Sequence, residues 1–100
     1  LIVFIDYNKW QATGKSNEVL SLKSLKKKIS SFNLNTFEID GHNHLEIHNS
    51  IKKSYLSKKP SVIICNTIKG KGVSFMEDDN NWHYKIPNRS ELIAAISEVN

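Results

Sequence analysis

One hundred residues, 39% of them hydrophobic, suffice for one small domain with a modest core. No stretch of about 18 apolar residues is present to form a membrane-spanning helix, and Leu1 to Ile5 is too short, and lacks the basic lead, for a signal peptide. The net charge is +4, from 14 Lys+Arg against 10 Asp+Glu, but Arg89 is the single arginine, so the balance argues against base or phosphate readout of a nucleic acid.

In chain order, Leu1 to Asp6 is a continuous apolar run that ends on polar residues, which predicts a buried strand. The chain opens on Leu1 inside this run, so it reads as a fragment whose upstream part is missing. Tyr7 to Asn17 is polar, contains Gly14 and predicts a loop. Leu22, Leu25, Ile29 and Phe32 recur at helical spacing, predicting an amphipathic helix over Ser21 to Phe32 with Lys26-Lys27-Lys28 on its solvated face. Thr36 to Ile39 predicts a short strand stopped by the turn Asp40-Gly41.

A helix is expected from His44 to Ser57, with Leu45, Ile51 and Tyr55 on one side and Lys58-Lys59-Pro60 ending it. Ser61 to Thr67 is the most apolar segment and the third predicted strand. Its Cys65, the only cysteine, has no partner for an internal disulfide and reads as a small buried hydrophobe. A lone cysteine suits the cytosol, which sets the expected localisation as cytoplasmic. Ile68 to Pro87 has little apolar periodicity and predicts a long functional loop. Asn88 with Glu91 predicts a capping box, opening a last helix with Leu92, Ala95, Ile96 and Val99 as its apolar stripe.

The order β, α, β, α, β, loop, α predicts an α/β fold: a three-layer parallel sheet with helices on both faces. Three strands leave open sheet edges, which places further strands upstream. Ligands of such sheets bind beyond the carboxyl ends of the strands. That rule selects the loops Tyr7 to Gly14, Asp40 to Asn43 and Ile68 to Pro87.

In the first of these, Asn8 offers a neutral oxygen just past a strand end, and a main-chain carbonyl two residues on offers a second. Mg²⁺ takes hard oxygen ligands of this kind, but the same asparagine can simply satisfy its own loop backbone. In the third, Gly70 and Gly72 alternate with Lys69 and Lys71, which suits close approach to a phosphate without the spacing of a P-loop. His83 sits in a polar stretch where an imidazole can donate to a phosphate oxygen or move a proton. His44 and His48 are four apart, a spacing used for zinc, yet no cysteine lies nearby and no Glu directly follows His44 as in HExxH.

The segments IDYNKWQATG (5–14), EIDGH (38–42), NTIKGKGVSFME (66–77) and WHYKIPN (82–88), in this order and spacing, resemble the transketolase family over essentially the whole chain. The resemblance is nearest to the separate N-terminal subunit of split bacterial transketolases. It implies thiamine diphosphate as cofactor, bound through Mg²⁺ at a subunit or domain interface. The partner is then a pyrimidine-binding C-terminal transketolase subunit or domain, in a homo- or hetero-oligomer. The reaction is then transfer of a two-carbon ketol unit between sugar phosphates.

By position, Asn8 matches the metal-binding Asn and Trp10 the residue whose main-chain carbonyl binds the metal. Ile68 matches an apolar contact to the cofactor ring. His83 matches a histidine near the diphosphate and the reacting centre, the expected catalytic residue. The family's upstream Asp metal ligand and the partner's activating Glu have no counterpart here, so residues 1–100 hold a partial, diphosphate-side domain that is expected to be inactive alone. Tyr84 and Asn66 depart from the family, which commonly has Gly and Lys there. The alternatives are a deoxyxylulose-phosphate synthase-like enzyme of the same cofactor class, and a small basic α/β binding module without catalysis.

Overall fold

The computed structural model describes residues 1–99. Its central sheet is parallel, in the order β1 (Ile2–Tyr7), β5 (Ser61–Asn66), β4 (Asn35–Asp40). Between β1 and β4 lie a two-residue ladder, β2 (Trp10–Gln11) with β3 (Gly14–Lys15), and two short helices, α1 (Ser16–Val19) and α2 (Leu25–Ser31). Helix α3 (His44–Tyr55) joins β4 to β5, and α4 (Arg89–Val99) closes the described chain. The chain steps from β1 past the site of β5 to β4, then back to β5. Right-handed crossovers in these opposite senses put α2 and α3 on opposite faces, and both pack on β4. The fold is α/β, as the alternating pattern predicts.

The central strand is the core. Ser61 to Cys65 are all buried, and Val62, Ile63, Ile64 and Cys65 are the buried hydrophobic residues among those described. A strand flanked on both edges and covered on both faces needs apolar side chains at every position, so it shows no alternation. Edge strand β1 is less covered, with Val3 39% and Phe4 49% exposed.

The helices depart from their expected faces and lengths. On α3 the inward positions are Ser50 and Ser54, both buried, while Leu45 and Tyr55 stand exposed. Each serine hydroxyl bonds back to its own helix, Ser50 to the Ile47 carbonyl and Ser54 to the Ser50 carbonyl, both at 2.8 Å. That arrangement hides their polarity and lets the helix approach the sheet closely. Helix α2 starts at Leu25 rather than Ser21, because Ser24 adopts φ +58°, outside helical space, and Phe32 is left exposed. The expected stripe on α4 is not buried: Leu92, Ile96 and Val99 are 48%, 49% and 63% exposed.

The register fixes where the site can form. Tyr7 and Asp40 both pair with Asn66, so all three strands end on one row and their loops leave the same edge of the sheet.

Candidate functional site

The three loops interlock at the carboxyl edge. Asn8 opens the first of them, and its side-chain oxygen accepts from the Trp10 N–H at 2.9 Å, a local Asx-type turn. Lys9 sits inside that turn at φ +68°, and its carbonyl accepts from the Ser16 N–H at 2.8 Å, folding α1 back onto the loop. The Lys9 ammonium lies 3.4 Å from the Tyr7 ring centre and donates to Asn66 Oδ1. Burial pushes the Lys9 ammonium below its ordinary pKa, with the Glu38 charge opposing.

The long loop reaches back to the first through Asp78. Its carboxylate accepts from Trp10 Nε1 and from Lys15 Nζ, each at 2.7 Å, and Lys15 lies 3.8 Å over the Trp10 ring. Two residues on, Asn80 Nδ2 donates to the carbonyls of Gln11 and Ala12, both at 3.1 Å. Asn80 opens a short 3-10 turn, Asn80–His83, so the turn that carries His83 is tied to the loop that carries Asn8 and Trp10. Trp82 Nε1 donates to the Phe75 carbonyl at 3.0 Å and the two rings meet edge to face, which closes the loop on itself. His83 is exposed, with the Tyr84 ring 4.5 Å away and nearly perpendicular to it.

The glycine-lysine segment is a tight reversal. Gly70 has φ +71°, and a Cβ there would collide with the main chain of Met76. Glu77 accepts from the Gly72 N–H and from Lys71 at 3.1 Å each, and these donors hold its carboxyl below the ordinary range. Ile68, at the base of this reversal, is 43% exposed, and its N–H donates to His42 Nε2 at 2.8 Å.

The structure thus gathers the elements that carry Asn8, Trp10, Ile68 and His83 at one edge of the sheet. An open groove of about 1220 Å³ runs beside them, lined by Trp10, Gly14, Phe75, Asn80, Trp82 and Lys85 among others. Of the four predicted residues only Trp10 lines it. Cys65 is 8% exposed, and burial together with the Asp6 charge raises its thiol pKa, which leaves it unreactive as the sequence suggests.

Sequence reasoning missed Asp78, Asn80 and the ligand-like contact of His42. Their partners lie far away in sequence, as with Asp78 and Trp10, 68 positions apart, so no local signal marks them. The cap at Asn43 was not singled out in the sequence. Asn43 Oδ1 accepts from the N–H of Leu45 and Glu46, while Glu46 accepts from the Asp40 N–H and the Asn43 side-chain amide rather than from the Asn43 N–H of a full capping box.

Residues 1–96 match the family model described as transketolase, thiamine diphosphate binding domain. The chain belongs to this transketolase family. Its relatives include one of the subunits of an apulose-4-phosphate transketolase in Phocaeicola vulgatus, 35% identical over 99% of this chain and 36% of that protein. A 6-deoxy-6-sulfo-D-fructose transketolase subunit from a Clostridium species is 45% identical over the same shares. The chain therefore spans about a third of the length of these transketolase subunits. The crystal structure of transketolase from Campylobacter jejuni superposes on 99% of the chain and 16% of its own, with a TM-score of 0.91 at 21% identity, which shows a shared fold.

Proposed function

We propose that the chain forms the diphosphate side of a thiamine diphosphate and Mg²⁺ site, in an enzyme that moves a two-carbon ketol unit between sugar phosphates. The observation that carries this reading is the junction of the two long loops. Asp78 and Asn80, from the segment after β5, grip Trp10, Lys15 and the Gln11 and Ala12 carbonyls, from the segment after β1. That junction lies where open α/β sheets hold their ligands.

The donor set fits the metal. Asn8 and the main-chain carbonyl of Trp10 are neutral hard oxygens, the kind Mg²⁺ takes. Asn8 Oδ1 spends one lone pair on the Trp10 N–H, which fixes the amide and leaves the second lone pair for a cation. Among the described residues no group of three or more His, Cys, Asp or Glu side chains is placed to hold a metal ion. The remaining ligands in this reading are the cofactor's phosphate oxygens and groups outside the described residues.

When bound, the thiamine ring supplies the carbanion chemistry. This chain's residues bind and orient. Asn8 and Trp10 hold the metal, Ile68 offers an apolar contact, and His83 donates a hydrogen bond toward the diphosphate and the reacting centre. The Tyr84 ring stands edge-on to His83, with 4.5 Å between ring centres. Relatives that are themselves named as transketolase subunits support the expectation of a second polypeptide, here the pyrimidine-binding one. The cytoplasm remains the proposed compartment.

The test is calorimetry on the full-length subunit with its partner. Thiamine diphosphate should bind only with a divalent cation. Asn8→Ala should weaken that binding at least about tenfold, with the melting temperature nearly unchanged. Equal affinity for wild type and Asn8→Ala defeats the assignment.

A further inference from the structure

The turn Asp40-Gly41-His42 makes a set of contacts that the proposed site does not use. Asp40 Oδ1 accepts from the His42 N–H at 2.9 Å, which fixes the shape of the turn. Gly41 donates from its N–H to the Asn66 carbonyl at 2.8 Å, extending the β4–β5 pairing by one bond. It lies so close to β5 that a Cβ would stand 2.5 Å from Thr67 Cγ2 and 2.9 Å from Cys65 Cβ. Only this close approach brings the next residue over the end of β5. There His42 Nε2 accepts from the Ile68 N–H at 2.8 Å.

The chain leaving β5 is therefore gripped from both neighbouring strands at consecutive residues. Thr67 is held from β1: its N–H donates to the Tyr7 carbonyl at 3.4 Å and its hydroxyl to Asp6. Ile68 is held from the β4 side by His42 alone among the described side chains. Beyond Ile68 the segment bonds partly to its surroundings, with Ser74 donating to Glu98 of α4 and Asp78 accepting from Trp10 and Lys15, and partly to itself. The Lys71 N–H donates to the Ile68 carbonyl, the Asp78 N–H to the Lys69 carbonyl, and the Gly72 N–H to Glu77. Ile68 is where that reversal leaves β5, and the imidazole fixes its main chain there.

We propose that His42 is a positioning residue: its neutral imidazole, proton on Nδ1, latches the Ile68 main chain and so sets the pose of the glycine-lysine segment toward the cofactor. A ring that accepts at Nε2 carries its proton at Nδ1, so the latch needs the uncharged tautomer. Its effect on ligand binding rests on the thiamine diphosphate reading of the site; the latch itself does not.

The experiment compares wild type, His42→Phe, His42→Gln and Asn8→Ala in the full-length subunit with its partner. His42→Phe keeps a flat ring without an acceptor, and His42→Gln places an amide oxygen within similar reach. Amide exchange is read without cofactor, and thiamine diphosphate affinity with Mg²⁺. The loss of one solvent-accessible hydrogen bond predicts about threefold to tenfold faster exchange at Ile68 and the following residues in His42→Phe. Cofactor affinity should fall by a similar factor while kcat at saturating cofactor holds, and His42→Gln should restore both.

Unchanged exchange in His42→Phe, or equal damage in His42→Phe and His42→Gln, overturns the latch. Faster exchange with unchanged affinity, while Asn8→Ala loses affinity, overturns the positioning role alone. Unchanged affinity in both His42→Phe and Asn8→Ala overturns the cofactor reading on which that role rests.

Discussion

Asp78 joins two segments that the sequence keeps far apart. Its carboxylate lies between Lys15 Nζ and Trp10 Nε1, and these donors, Lys15 foremost, hold it below the ordinary carboxylate range. A carboxyl whose folded pKa is depressed stabilises the fold fully above its unfolded value, and that contribution is lost as pH falls through the folded value. Asp78→Asn should therefore melt below wild type at pH 7 by no more than a few degrees, since the pair is exposed. The gap should begin to narrow as pH falls below about 4 and go on narrowing as it falls further. A gap that does not narrow with acid means that the side-chain shape, not its charge, matters. Asn8 and His83 stand in local motifs that the sequence displays, and their roles belong to the proposal. Asp78 was not singled out, because nothing within a few positions of it announces a partner at Trp10.

Among the elements, β5 was the plainest in the sequence, since a short uninterrupted apolar run rich in β-branched residues and set off by Pro60 suits a strand in the middle of a sheet. The capping box at Asn88 was also legible, and it forms as expected: Asn88 Oδ1 accepts from the Glu91 N–H at 3.0 Å and Glu91 accepts from the Asn88 N–H at 2.8 Å. The inward face of α3 was not. Periodicity located a helix with Leu45, Ile51 and Tyr55 on one side, but the residues it buries are the small Ser50 and Ser54. Gly41 belongs to this scale too, because its missing side chain lets the β4 turn lie against β5. Gly41→Ala should destabilise the fold by about 1–3 kcal/mol in denaturant titration, as the new methyl displaces Thr67 and Cys65. A change below about 0.5 kcal/mol would show that the turn relaxes freely.

As a whole the molecule is thin and extended. Its radius of gyration is 16.1 Å and its extents are 49 × 32 × 17 Å, against about 13 Å expected for a compact chain of this length. The buried apolar residues stand on one strand, while Leu92, Ile93, Ile96 and Val99 of α4 and Leu45 and Tyr55 of α3 are solvent-facing. Where exposed apolar side chains form one patch, contact with other protein is what such a surface serves. Residues 1–100 alone should bind a hydrophobic dye and gain mass with concentration in sedimentation, more than the full-length assembly does per mole. A dye-silent monomer would mean that these side chains are too scattered to act as a surface.

Much of the local order was written in the sequence: the three strands of the central sheet, the cap at Asn88, and which loops carry oxygen, imidazole and ammonium groups. Those properties depend on neighbours a few positions away, where side-chain periodicity and turn chemistry act. Only the tertiary structure decided that Tyr7, Asp40 and Asn66 end on one row, that Asp78 reaches Trp10, and that His42 reaches Ile68. Each of these depends on strand register and crossover path, and the free energy that fixes them comes from burying β5 between its neighbours rather than from any preference of the residues that meet there.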